Sequence, residues 1–456
     1  MKNSKRLILI LALVILTFST AGCGSSDNGS GAPASASGPA ASSGSAVEKD
    51  APKETIEFEI LHYMPEEGRR DAVVAWCDSV KKQYEEKTGN TVNFETNSLT
   101  SAQYVTTLKT RISAGDPPHI FWGRTNQYPE LIEAGHIMDL SGWDFVKKLD
   151  ESNVKAASLD GKVYTIPFDK LMACVFYNKD IFAENNLQPP TTQKEFLEII
   201  KYFTDKGQYP FVRGYNTIFA RAAELNTRTR PMFCQQDPSF FPEVQEGKRV
   251  PSSSPIWTNA WYSWGEVLSF PREDDMGKDE AKQNQLFASG QYPMMVDGTW
   301  VIPELRKYNP DLNIGLFPMP CTDDPKDSQI YESNDGQFMV SATLAGTSRE
   351  EIAKMYADYM TSDEGISQWL SIAKTPPALK ANTSGSLDPL FADIDALRAE
   401  GKVVNINDLK QFTGEMRTRY DELIGEFAAM KDHSKEAIAA FIKKIDDDFL
   451  KLATKS

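Results

Sequence analysis

The stretch Phe287-Ala288-Ser289-Gly290-Gln291-Tyr292-Pro293-Met294-Met295-Val296-Asp297-Gly298-Thr299-Trp300 decides how this chain is read. It predicts a helix end at Phe287, a stop at Gly290, a short apolar strand from Tyr292 to Val296, then a turn presenting Asp297 and Trp300. Gly298 allows a positive φ or the close approach of a ligand. An indole beside a carboxylate at a strand end suits a sugar, offering a flat apolar face and a hydroxyl acceptor. Taken alone, the same pattern fits a core Trp behind a buried strand. The rest of the chain separates the two.

The 456 residues exceed what one core usually supports, so at least two folded units are expected. The formal charge is −15; without the basic leader residues Lys2, Lys5 and Arg6 it becomes −15 − 3 = −18. So negative a chain is unsuited to nucleic acid or anionic lipid, and it disfavours an anionic ligand. The five Cys (23, 77, 174, 234 and 321) contain no C-x-x-C pair, so neither a zinc site nor a thioredoxin-like motif is signalled. For the last four, free and mostly buried thiols are expected; disulfides, with three pairings open, are the alternative. His62, His119, His136 and His433 are scattered, so no metal is expected. There is no G-x-x-x-x-G-K-[ST] and no H-E-x-x-H. The folded part lacks a G-x-S-x-G elbow. Paired carboxylates among Glu66, Asp169, Asp297 and Asp335 would suit a glycosidase, but acids are abundant here and such pairs arise by chance.

Lys2, Lys5 and Arg6 precede an apolar run from Leu7 to Phe18, too short to span a bilayer. Residues 1–22 read as a signal peptide. Thr20-Ala21-Gly22-Cys23 resembles a bacterial lipobox, with Thr20 where Leu is usual, and makes Cys23 the expected lipid attachment site. Two acyl chains on Cys23 would hold the protein firmly to a membrane. Residues 24–53, almost all Ser, Gly, Ala and Pro, read as a disordered tether reaching about 30 Å on average and about 100 Å at full stretch.

Beyond the tether, strands and helices alternate. Ile56–Tyr63 is a strand. A helix follows with Val73, Trp76, Cys77, Val80 and Tyr84 on one face, then a strand at Thr91–Thr96, a helix over 101–114 and a strand at His119–Trp122. This alternation predicts a doubly wound parallel sheet, with ligands beyond the carboxyl ends of its strands. Glu66, Trp122, Arg124 and Asn126 fall there. Tyr128–Leu140 reads as a Gly-capped helix, Ala173–Asn178 and Gln337–Ser341 as strands, and 322–335 as a polar loop. Trp257, Trp261 and Trp264 repeat at helical spacing, which favours a core stripe over a sugar platform. Two amphipathic helices close the chain from about residue 408.

Five segments in order carry a family resemblance: Ser113-Ala114-Gly115-Asp116-Pro117-Pro118-His119-Ile120, Asp160-Gly161-Lys162-Val163-Tyr164 with Pro167, Tyr177-Asn178-Lys179-Asp180 with Phe182, Pro189-Pro190-Thr191-Thr192, and the opening stretch. Thr361-Ser362-Asp363-Glu364-Gly365 and Thr375-Pro376-Pro377 add to it. His119 replaces the usual Asp. The chain resembles family 1 extracellular solute-binding proteins of ABC importers, the broad group that includes maltose-binding protein.

The resemblance implies an α/β fold of two doubly wound lobes joined by a three-crossing hinge. The expected lobes are 54–168 plus 320–361 and 169–318 plus 362–456, with crossings near Phe168–Met172, Phe317–Pro320 and Thr361–Gly365. It implies a monomeric, non-catalytic, cofactor-free protein that closes on a carbohydrate, most naturally an oligosaccharide, and delivers it to the transmembrane permease subunits. Trp300 and Trp122 would stack on sugar rings. Asp297, Asn334, Asp335, Asp169 and Glu66 would meet hydroxyls, Arg124 and Asn126 would donate, and Phe412 would add an aromatic face. The alternatives are a cell-surface carbohydrate-active enzyme, or the same fold binding a polyamine or a metal complex.

Overall fold

The computed structural model describes residues 53–383 and 385–454. The expected signal peptide, Cys23 and nearly all of the expected tether lie outside them. Among the described residues, no helix is long and apolar enough to cross a membrane.

The strands are β1 (Thr55–His62), β2 (Thr91–Ser98), β3 (Ile120–Trp122), the hairpin β4 (Ser158–Leu159) and β5 (Lys162–Val163), β6 (Thr165–Asn178), β7 (Phe211–Val212), β8 (Met294–Gly298), β9 (Ile314–Phe317), β10 (Ile330–Val340) and β11 (Val403–Asn405). Nine of them form one sheet in the order β2-β1-β3-β10-β6-β8-β7, with β11 on β10 and β9 on β6. Pairing is parallel for β1 with β2 and β3, and for β7 with β8. Of the two long strands, β6 runs antiparallel to β8, β9 and β10, while β10 runs antiparallel to β3 and β6 and parallel to β11. Helices separate the parallel strands because a parallel connection must cross over the sheet.

Two α/β lobes share this sheet. The first packs around Phe58, Ile60, Trp76, Phe121, Trp122, Phe168 and Phe338. The second is built from three clusters, around the Trp257/Trp261/Trp264 stripe, Phe287 with Leu305, and Phe196 with Phe203. That stripe is core: all three indoles are at most 1 % exposed.

The lobes are joined by backbone, not by loops. Residues 165–178 form one 14-residue strand, where the sequence predicts a short strand, a crossing and a second strand. Its first part pairs with β10; at Ala173, which faces both Tyr331 and Gly298, pairing passes to β8. Phe317 and Met319 lie in a second-lobe core beside Val175, because β9 pairs with the far half of β6. The chain instead returns along β10, which begins at Ile330 inside the segment expected to be a loop. Helix Asp363–Ile372 packs on the first core cluster: Trp369 stacks on Trp76 at 5.0 Å, and the Trp76 indole donates to the Gly365 carbonyl at 2.9 Å. After this helix the chain runs beside β6, where Lys170 donates to Pro376 and Ala378 donates to Phe168 through the backbone. Tyr128–Leu140, expected as one helix, is helical only over Pro129–Glu133, and Gly135 at φ 75° turns the chain.

A Cβ at Gly365 would collide with the Tyr359 carbonyl, a backbone atom that cannot swing aside. Gly365→Ala is expected to destabilise the fold by roughly 1–3 kcal/mol. Urea denaturation with an unchanged midpoint would contradict this packing.

Cys77, Cys174, Cys234 and Cys321 are free thiols, and only Cys234 is not buried.

Candidate functional site

The site is built on the strands that join the lobes. On β6, Asp169 is fully buried. Its Oδ2 accepts from Arg69 Nη2 at 2.7 Å and its Oδ1 accepts from the Gly336 N–H at 2.6 Å. Arg69 comes from the first turn of helix Glu67–Thr88 and also donates to Glu66 at 3.1 Å. On β10 the register slips between Ser333 and Gln337, a bulge that aims Asp335 at Arg124 of the loop after β3. Gly336 is required there, since a Cβ would enter the Asp169 carboxylate and the Phe168 ring. Burial raises Asp169 to about 6, against the opposing charge of Arg69. Burial, then the charge of Asp335, raises the Tyr63 phenol to about 12.

Trp122 lies beneath this network. It is 1 % exposed, packs on Tyr63 and Phe168, and carries the Arg69 guanidinium 5.1 Å from its ring centre. It supports the charged residues from the core and turns no open face outward.

In the second lobe, β8 ends in Asp297-Gly298 and a short 3-10 turn carries Trp300. The Gly298 φ of −116° is ordinary. The glycine is needed because the Trp300 ring folds back over it and occupies the space of a Cβ. Neither of the two roles expected for Gly298 applies: close approach is made by the chain's own indole. Trp300 packs edge-on to Phe219, ring centres 5.3 Å apart, and Phe219 is 42 % exposed. Asp297 is buried, accepting from Gln283 Nε2 at 2.9 Å and from the Gly298 N–H at 2.8 Å. Burial, then the charge of Glu280, holds its carboxyl well above the usual range.

The lobes touch on both sides of these strands. Lys307 pairs with Glu67, and Lys155 Nζ lies 3.7 Å from Asp408.

Residues 79–413 match the family described as bacterial extracellular solute-binding protein. The chain belongs to this family. The solute-binding protein is 25 % identical over 337 residues to the diacetylchitobiose binding protein DasA of Streptomyces coelicolor, covering 68 % of this chain and 72 % of that one. It is 21 % identical over 301 residues to the multiple sugar-binding protein of Streptococcus mutans, covering 62 % and 68 %. Among solved structures, a chitin oligosaccharide binding protein superposes with a TM-score of 0.72 at 20 % identity over 87 % of this chain and 99 % of that one. The RafE binding protein in complex with raffinose gives 0.69 at 19 % identity, over 87 % and 100 %.

The other expected contacts of the solute-binding protein divide. Asn334 is buried, donating to Asn153 Oδ1 at 2.6 Å, while its own Oδ1 is buried without a partner. Asn126 is half-buried in the turn after β3. Phe412 is core: Phe240, Phe241, Trp257, Tyr420 and Phe449 surround it, and 3 % of it is exposed. Sequence reasoning missed Arg69, Tyr63, Phe219 and Glu280. Arg69 had a signal in its i,i+3 spacing from Glu66. Phe219 had none, since one Phe in a long helix is ordinarily core. No group of His, Cys, Asp and Glu among the described residues is arranged to hold a metal ion.

Proposed function

We propose that this solute-binding protein captures a carbohydrate, an oligosaccharide, in the cleft between its lobes and delivers it to the transmembrane subunits of an ABC importer. Supporting this is the aromatic pair Trp300–Phe219 at a strand end, beside acceptors contributed by both lobes. Aromatic faces with a few placed polar groups are what a pyranose needs. The sugar-binding relatives agree with it. Asp335, Arg124, Glu66 and Asn126 supply hydroxyl contacts in this reading. Trp122, Asp169 and Asn334 shape the site from below. Asp297 aims the Trp300 turn.

In the same reading the hinge is the bundle of β6, β10 and residues 375–378, and the lobes are approximately 54–168 plus 338–373 and 169–335 plus 379–454. Ligand touching both lobes stabilises the closed arrangement. The mature protein is a monomer on the outer face of the membrane, held by acylated Cys23 through the tether.

Titration calorimetry against a panel of oligosaccharides tests the proposal. A specific sugar is expected to bind without turnover. Trp300→Ala is expected to weaken that binding about fivefold or more, the loss of one stacking contact. Full affinity in the variant would remove Trp300 from the site, and failure of every sugar to bind would overturn the carbohydrate reading.

A further inference from the structure

Beside Trp300 lies an acidic patch of Glu280, Asp297 and Glu304, none of which has a cationic partner among the described residues. Helix Glu280–Ala288 presents Glu280, Gln283 and Asn284 on one face. Gln283 bonds Asp297, and Asn284 Nδ2 donates to Glu304 Oε2 at 3.1 Å, so this face draws together Glu280, Asp297 and Glu304. Among the described residues, Glu280 has only the Thr217 hydroxyl as hydrogen-bond partner, at 2.6 Å. Glu66 of the other lobe adds its negative charge to Glu280 and Asp297. The nearby cations are engaged elsewhere: Arg69 with Asp169 and Glu66, Lys307 with Glu67. Asp279 adds a further negative charge at Glu280.

A second observation points to a missing donor. Asn284 is 3 % exposed, its amide lies against Glu304, and its Oδ1 is buried without a hydrogen-bond partner. Neutral hydroxyls would satisfy the acceptors but leave the charge uncompensated. A cation answers both, and the Trp300 and Phe219 rings beside the patch also favour one.

We propose that this end of the cleft receives a protonated amine carried by the ligand, so that the captured carbohydrate is an amino sugar with a free amine. This rests on the carbohydrate reading above. The negative charge of the whole chain draws such a ligand in. Burial and mutual repulsion hold the Glu280 and Asp297 carboxyls above their usual range. An ammonium ion brought against them lowers both again.

The test is calorimetry on the full-length protein at pH 7 with three probes: a β-1,4-linked glucosamine disaccharide, its N-acetylated counterpart, and spermidine. The free amine is expected to bind at least about tenfold tighter than the N-acetyl form. Glu280→Gln should bring the affinity ratio toward one, and Glu304→Gln serves as the second variant should the first fail to fold. Equal or tighter binding of the N-acetylated disaccharide overturns the amine assignment and leaves the carbohydrate reading standing. Binding of spermidine alone, or of no probe and no neutral sugar, overturns both.

Discussion

Replacing Arg69 by Met is expected to destabilise the protein by about 3–5 kcal/mol, the usual consequence of removing one partner from a buried ion pair. The side chain of Arg69 is 5 % exposed and that of Asp169 is fully buried, so water cannot replace the guanidinium. The loss should depend on pH. Asp169 titrates near 6 in the folded protein against 3.8 as its ordinary value. A carboxyl raised in this way contributes stability that is fully present below the ordinary value and is lost as pH rises through the folded one. Arg69 is the charge that limits this rise. Without it Asp169 goes higher, and the stability deficit grows from pH 5 to pH 7.5. Urea denaturation of Arg69→Met at both pH values measures this, and Asp169→Asn in the same background should recover part of the loss. A deficit equal at both pH values would show that Arg69 acts only by packing on Trp122.

Gly298→Ala is the second large effect. The added methyl takes the place of the Trp300 ring, so the indole must leave its seat among Leu171, Met172 and Phe287. Evicting a large aromatic from such a cluster costs roughly 3 kcal/mol. The same eviction moves the proposed stacking face and its Phe219 neighbour, so sugar affinity should fall at least as far as in Trp300→Ala. Denaturation and calorimetry on one preparation test both. Normal stability with normal affinity would mean that the ring need not lie over residue 298.

These two residues were legible to different degrees. Gly298 and Trp300 stand in a local pattern, a strand followed by Gly-x-Trp, and the sequence marks them as a unit. It does not show that the glycine makes room for the tryptophan, because that depends on where the indole turns after the backbone has been built. Arg69 sits on a helix whose apolar stripe is plain, yet its partner Asp169 is a hundred residues away and meets it only when β6 passes beneath the helix. Phe219 and Glu280 were invisible for the same reason, since neither sits in a local motif and their neighbours come from distant strands.

The sequence by itself determined what depends on near neighbours. The helix with Trp76, the Trp257/Trp261/Trp264 core stripe and the alternation of strands with helices all follow from spacing that the backbone repeats every few residues. Ordered family segments then led from those elements to a two-lobed binding protein. Tertiary structure alone decided how the lobes join. Ile330–Asp335 reads as a polar loop but is strand, because Glu332, Asn334 and Asp335 find partners in Arg398, Asn153 and Arg124, far along the chain. Helix Asp363–Ile372 packs on the first core because Trp369 finds Trp76. The acidic patch beside Trp300 exists only where one helix face, a strand end and the other lobe converge. Long-range burial and charge pairing carry no sequence period, so only the folded chain reveals them.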